Sequence, residues 1–187
     1  MNSSPDRHPE TIRGRQRRGA VILEFILVLP ILIIVTLSIF EFGYLILVGQ
    51  AINTAAIEGS RKAAELGGEA NSAEPAINVI QEFLAVHKIN LSNTQPAAAN
   101  QGDAFVRVDY GTITLADRLG ASMQSYTWGN SNYQVAAPGG IEDNEVIVTI
   151  RVPVNDGTVE TIPNLLCYFG FDLTPYTYEY RALTPLE

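Results

Sequence analysis

Residues 17–50 read RRGAVILEFILVLPILIIVTLSIFEFGYLILVGQ, and this stretch decides the architecture of the chain. After the basic cluster, an almost unbroken apolar run extends from Ala20 to Val48, and only Glu24 and Glu41 interrupt it. A helix rises about 1.5 Å per residue and the hydrocarbon core of a bilayer is about 30 Å thick, so a helix of this length can cross it. The sequence therefore predicts a membrane-spanning helix over residues 20–48.

Charge is distributed unevenly on the two sides of this run. Residues 1–18 carry five arginines and two acidic residues, a net charge of +3, whereas the rest carries 7 basic and 18 acidic residues, a net charge of −11. Lys and Arg beside a membrane helix are retained on the cytoplasmic side. We therefore expect residues 1–19 to form a cytoplasmic leader and the C-terminal part to be extracytoplasmic. Because the acidic part has no basic stripe, we expect no nucleic-acid partner.

The length of the apolar run argues against an ordinary secretory signal peptide. The apolar core of such a peptide has about 7–15 residues and a small-residue cleavage site after it. The run here is about twice as long, and Leu-Val-Gly before Gln50 is a poor cleavage site. We therefore expect a retained helix.

Residues 17–64 resemble the N-terminal part of type IV prepilins, especially the TadE-like minor pilins (pseudopilins) of the tight-adherence (Tad/Flp) system. Those proteins have a basic leader, a glycine, and an apolar helix whose fifth residue is a glutamate followed by an aromatic residue. They also have an early proline, an E-F-G step and an E-G-x-R ending. The corresponding residues here are Gly19, Glu24, Phe25, Pro30, Glu41-Phe42-Gly43, and Glu58-Gly59 with Arg61.

The resemblance implies a non-enzymatic protein of Tad pilus assembly and adhesion. It implies a single-pass precursor in the bacterial inner (cytoplasmic) membrane, cut after Gly19 by a prepilin peptidase so that Ala20 becomes the N-terminus. Its partners would be that peptidase, membrane lipid, and other pilin subunits that pack through the N-terminal helix around Glu24 and Phe25. It implies no cofactor and no metal.

Glu24 is costly inside an apolar helix, and such residues usually have a function and a partner. Cleavage after Gly19 would create an ammonium at Ala20, which could pair with Glu24 of the next subunit. Two unit charges 4 Å apart attract by about 4 kcal/mol at an effective dielectric near 20, before desolvation is subtracted. Alternatively, Glu24 reaches the headgroups or is stabilised by the positive end of the helix macrodipole.

Glu41 follows Glu24 by 17 residues, about 25 Å of helix. We expect it at the outer interface as a solvated carboxylate. Pro30 lies inside the helix and is expected to kink it.

Beyond the membrane, the helix is expected to continue to residue 66. Small residues recur at every fourth position, which allows close approach of another backbone, either from a neighbouring subunit or from this chain's own domain. These positions are Ala51, Ala55, Gly59 and Ala63.

Residues 69–187 are predicted to form an α+β domain, with an antiparallel sheet on the outer half of the long helix. Residues 69–76 read as a polar hinge, and 77–87 have helical spacing. Alternation predicts a strand or short hairpin at 105–116 and strands at 146–154 and 176–183. Residues 125–136 suggest a hairpin around 129–132, and Asp156-Gly157 suggests another turn.

No catalytic motif is visible in the sequence, so we expect no enzyme. The chain has two histidines, His8 and His87, and the acidic run 142–145 lacks the spacing of a calcium loop. Cys167, the single cysteine, lies among apolar neighbours and is expected to be a buried core thiol. The alternative function is an unprocessed, membrane-anchored extracytoplasmic binding protein, which an uncleaved leader would distinguish.

Overall fold

The computed structural model describes residues 12–66, 73–112, 124–155, 163–174 and 176–186. The chain divides into two units, Met1–Phe40 and Glu41–Glu187. One α-helix, α1 (Ile12–Glu65), supplies residues to both. It begins before the predicted Ala20, because the Arg- and Gln-rich leader favours helix as much as the apolar run does.

In the first unit, the side chains of residues 20–40 are exposed or half-buried, and none is buried. Pro30 lies inside the helix. The hydroxyls of Thr36 and Ser38 donate to the carbonyls four residues earlier, at 2.8 and 2.7 Å, so these polar groups are satisfied within the helix. In the described residues, α1 is the single helix long and apolar enough to cross a membrane, with a mean hydropathy of 2.9 over its most apolar window. This is compatible with a membrane anchor.

The second unit contains a short helix, α2 (Ala73–Val86), and a four-stranded antiparallel sheet. The strands are β1 (Phe105–Tyr110), β2 (Gln124–Gly129), β3 (Glu145–Pro153) and β4 (Thr177–Pro185). Their order in the sheet is β2-β1-β3-β4. Val108 pairs with Tyr126 on one side and with Val148 on the other, and Val148 pairs with Ala182. The predicted α+β class is confirmed.

The second part of α1 and the helix α2 cover one face of this sheet. Val106, Val108 and Tyr110 alternate onto that face and are buried. The hydroxyl groups of Ser60 and Thr184 lie 2.8 Å apart, and the Tyr178 hydroxyl donates to the Leu45 carbonyl at 2.8 Å. The core also contains Val48, Ile52, Ala55, Ala56, Ala63, Ile77, Ile80, Leu84, Val146, Ile150 and Val152.

Two local expectations are wrong. No hairpin forms at 125–136, because β2 pairs with β1 and the chain then turns through a 3-10 helix, Ser131–Tyr133, in which the Asn132 N–H donates to the Asn130 side chain. Pro75 lies in the first turn of α2 instead of in a hinge, since a proline there removes no helical hydrogen bond. Asp156-Gly157 and residues 113–116 lie outside the described residues.

Candidate functional site

The predicted cleavage and assembly residues all lie on the first part of α1. Gly19 is inside the helix, and Ala20, Glu24 and Phe25 are exposed, Phe25 by 63%. Ala20 and Glu24 are four residues apart and therefore share one face of the helix. Ala20, Glu24 and Phe25 are thus exposed close together on α1, and we call these three residues, with Gly19, the N-terminal patch.

Glu24 has no hydrogen-bond or ion-pair partner among the side chains that the structure describes. It lies twelve residues beyond Ile12, where α1 begins. The macrodipole acts mainly within the first turn, so it does not stabilise Glu24 in this uncleaved chain. Cleavage after Gly19 would bring a helix end and a positive charge to within one turn of it.

The ridge of small residues lies within the second unit. Ala55, Gly59 and Ala63 are buried and Ala51 is half-buried. A Cβ atom at Gly59 would lie 2.6 Å from the side chain of Ile80, so α2 approaches α1 as closely as a glycine permits. This chain's own domain therefore covers three of the four positions.

The expectation that Glu41 is a solvated carboxylate is wrong, because this side chain is 3% exposed. Its Oε2 atom accepts a hydrogen bond of 2.9 Å from the backbone N–H of Leu166. Its Oε1 atom is buried and has no hydrogen-bond partner in the described part of the chain. Glu41 thus ties the start of the second unit to a segment 125 residues further along.

Cys167 is likewise not the buried thiol that its neighbours suggested. It is exposed, in a 3-10 helix, Leu165–Phe169, in which only Leu166 is buried. The sequence gives no signal for this arrangement, because a 3-10 turn with apolar residues on its outer surface has the composition of a buried strand. The tether between Leu166 and Glu41 was missed for the same reason.

The opposite face of the sheet holds an ion pair that sequence reasoning also missed. Arg107 Nε donates to both carboxylate oxygens of Asp109 at 2.8 Å, and both side chains are mostly buried. Arg107 and Asp109 alternate with the core residues of β1, so they share the other face of the strand. Two opposite charges at this spacing were the signal in the sequence for an ion pair on that face. The two side chains therefore satisfy each other's hydrogen bonds within the sheet.

No cluster of metal-ligating side chains occurs within the described ranges. His87 is half-buried, and its ring lies edge-on to that of Tyr44, with centroids 6.5 Å apart. Glu142 and Asp143 are exposed, as a solvated turn requires. These groups therefore offer no converging ligand set.

Comparison with known proteins gives one finding about the N-terminal segment. The family described as TadE-like protein matches residues 19–61. No curated protein and no solved structure matches the chain. The match begins at Gly19 and covers the N-terminal patch, the Glu41-Phe42-Gly43 step and the small-residue ridge up to Gly59. Residues 19–61 of this chain are therefore similar to the TadE-like family, as the resemblance of residues 17–64 implies.

Proposed function

We propose that this protein is a non-enzymatic minor pilin, or pseudopilin, that takes part in assembly of a Tad-type pilus. The TadE-like match supports a Tad pilus-associated protein. The observation that carries the finer proposal is the spacing of Gly19 from Ala20 and Glu24, which are both exposed on α1. No described residue of this chain partners Glu24, which leaves it free to pair with the ammonium of another subunit.

In this proposal the protein is made as a single-pass precursor in the bacterial inner membrane. The basic leader stays in the cytoplasm and the α+β unit lies outside, following the distribution of positive charge. A prepilin peptidase cuts after Gly19. A glycine weakens a helix by about 1 kcal/mol relative to alanine, which favours local opening of α1 at the scissile bond.

Subunit pairing then follows from charge and burial. The new ammonium on Ala20 and the Glu24 carboxylate of a neighbour neutralise each other in an apolar setting, where either group alone would be costly. Because the domain covers its own small-residue ridge, contacts between subunits fall on the exposed first part of α1. Phe25, beside Glu24, packs against the neighbouring helix.

The test is the intact mass and N-terminal sequence of the protein from its native membrane, with and without the prepilin peptidase. An N-terminus at Ala20 that depends on the peptidase is the expected result. Retention of residues 1–19 would contradict the proposal and favour an anchored binding protein. A start near Gln50 would instead indicate a secreted domain.

A further inference from the structure

The exposed apolar side chains of the second unit are concentrated in two stretches. In the described residues from Glu41 onward, eleven large apolar side chains are exposed, and eight of them belong to residues 42–47 or 165–176. We call residues 165–176 the aromatic segment. Tyr168 is 89% exposed and Tyr176 57%. Exposed apolar patches of this kind mark contacts with proteins or membranes. The exposed members of the segment are Leu165, Tyr168, Phe169, Phe171 and Tyr176.

The aromatic segment is fixed to the first turn of α1 in this unit. The Leu166 N–H donates to Glu41, and the rings of Phe42 and Phe171 meet edge-on with centroids 5.5 Å apart. An apolar groove of about 290 Å³ lies between α1 and the aromatic segment, and Phe42, Leu45 and Tyr176 form part of its lining. The position of the segment along α1 is therefore set by Glu41.

That position matches the outer boundary of a bilayer. Glu41 follows Ala20 by 21 residues, or about 32 Å of helix, and the hydrocarbon core is about 30 Å thick. With the basic leader at the cytoplasmic face, as the proposed function requires, Glu41 and the segment bonded to it lie at the outer headgroups. The inference below rests on that membrane insertion.

The chemistry of the segment suits this depth. Tyrosine and tryptophan side chains are enriched at membrane–water interfaces, where one end can be apolar and the other wet, and phenylalanine adds apolar surface. Residues 163–176 carry no basic side chain, and Asp172 is their one charged group. Hydrogen bonds from Thr174 lower the pKa of Asp172, which therefore remains ionised and facing water. Because the segment has no positive charge, attraction to anionic lipid would not hold it at a membrane surface. The zwitterionic lipid phosphatidylcholine is therefore the appropriate probe.

We propose that the aromatic segment is a membrane-contact site: Tyr168 and Phe169 lie in the outer headgroup layer and hold the second unit against the bilayer. The occupant of this surface is lipid. A second copy of the chain, or another protein, would instead cover the same side chains with protein.

Cys167 makes this directly measurable, because it is the single cysteine, it is exposed, and it adjoins Tyr168. The full chain is spin-labelled at Cys167 in phosphatidylcholine nanodiscs, and nitroxide collisions with oxygen are compared with collisions with a water-soluble nickel chelate. Oxygen concentrates in lipid, so the expected oxygen-to-nickel ratio is several-fold higher than at a site in water.

The matched water control is Asp143→Cys in a Cys167→Ser background. Asp143 is exposed, and its neighbour Asn144 accepts a hydrogen bond from the N–H of Leu186. The nearby Thr184 contacts Ser60, which lies 19 residues, or about 28 Å, along α1 from Glu41. The label at this position should collide mainly with the nickel chelate.

A third label, Ile33→Cys in the same background, separates the two ways of failing. If Ile33 is in lipid and Cys167 in water, the membrane helix stands and the contact site is refuted. If both are in water, the proposed membrane insertion fails and the inference fails with it. Shielding of Cys167 from both reagents would show a protein partner and also refute the lipid contact.

The rings themselves are tested by replacing Tyr168 and Phe169 with serine in the chain labelled at Cys167. Both side chains are exposed, so the fold should persist, and the fluorescence of the buried Trp128 reports whether it does. The expected result is a fall of the oxygen-to-nickel ratio toward that of the Asp143 control. An unchanged ratio would show that these rings do not hold the segment in the headgroups.

Discussion

Glu24 and Glu41 lie on the same helix and interrupt the same apolar run, yet their exposure and their hydrogen bonding are opposite. Glu24 is exposed and has no partner among the described residues, whereas Glu41 is buried and accepts a backbone hydrogen bond. The difference shows that a carboxylate in an apolar helix can serve either the molecule's own fold or its contacts with others. Which one applies depends on whether the rest of the chain reaches it.

The largest expected effect is on assembly, at Glu24. Glu24→Ala should leave membrane insertion and the unfolding temperature unchanged and abolish recovery of the protein in sheared pili, because the neighbour's ammonium loses its partner. Glu24→Gln should fail equally, since a neutral amide cannot neutralise that charge. Immunoblots of pilus and membrane fractions measure both. Normal amounts of either variant in the pili would contradict the proposed role of Glu24 in assembly.

Glu41→Ala should act on the fold instead. It leaves the buried N–H of Leu166 without an acceptor, which costs about 1–3 kcal/mol of unfolding free energy. Glu41→Gln keeps an acceptor for this N–H, so it should cost less. Thermal unfolding of the detergent-solubilised chain, followed by the fluorescence of Trp128, gives both values. Hydrogen exchange at the Leu166 amide should accelerate in the alanine variant and stay slow in the glutamine variant; equal exchange in both would contradict the tether.

Two glycines of α1 allow a position that α2 covers, Gly59, to be compared with a position that has free space around it, Gly43. Replacement of glycine by alanine favours a helix by about 1 kcal/mol where space permits, as at Gly43, where a Cβ atom meets nothing within 4 Å. At Gly59 the added methyl group collides with buried Ile80, and overpacking costs about 1–3 kcal/mol. Gly43→Ala should therefore raise the unfolding temperature and Gly59→Ala lower it. A rise for Gly59→Ala as well would mean that α2 does not pack against α1 as closely as described.

The smallest effect concerns the hydroxyl group that Tyr178 directs at α1. Tyr178→Phe removes its hydrogen bond to the Leu45 carbonyl, worth about 0.5–1.5 kcal/mol.

Burial, and then the neighbouring Tyr180, raise the pKa of Tyr178, so the folded state binds its proton more tightly than the unfolded state. That contribution is complete below the unfolded pKa of about 10 and is lost as pH rises toward the folded pKa. The difference in stability between wild type and variant should shrink across that range; a difference independent of pH would contradict the shift.

The parts that sequence reasoning predicted correctly are those governed by local periodicity. The alternation of Val106, Val108 and Tyr110, and the run that forms β3, require only that one face of a strand be apolar. The resemblance of residues 19–61 to the TadE-like family is equally local. Glu41 and Cys167 were misjudged because their environments depend on residues far along the chain. A carboxylate near a membrane boundary suggests solvent, and only the approach of Leu166 makes it a buried acceptor.

The position of β4 has a consequence for the order in which the molecule can form. β4 is the last element of the chain, and it supplies both Thr184 and Tyr178 to α1, which is made first. Contacts so distant in sequence form slowly, since a long loop must close before they stabilise anything. During synthesis α2 can cover its part of α1 early, but the part that β4 contacts, near Leu45 and Ser60, stays uncovered until residues 177–185 have been made. A chain that stops before Thr177 therefore exposes this part of the helix to contacts with other proteins.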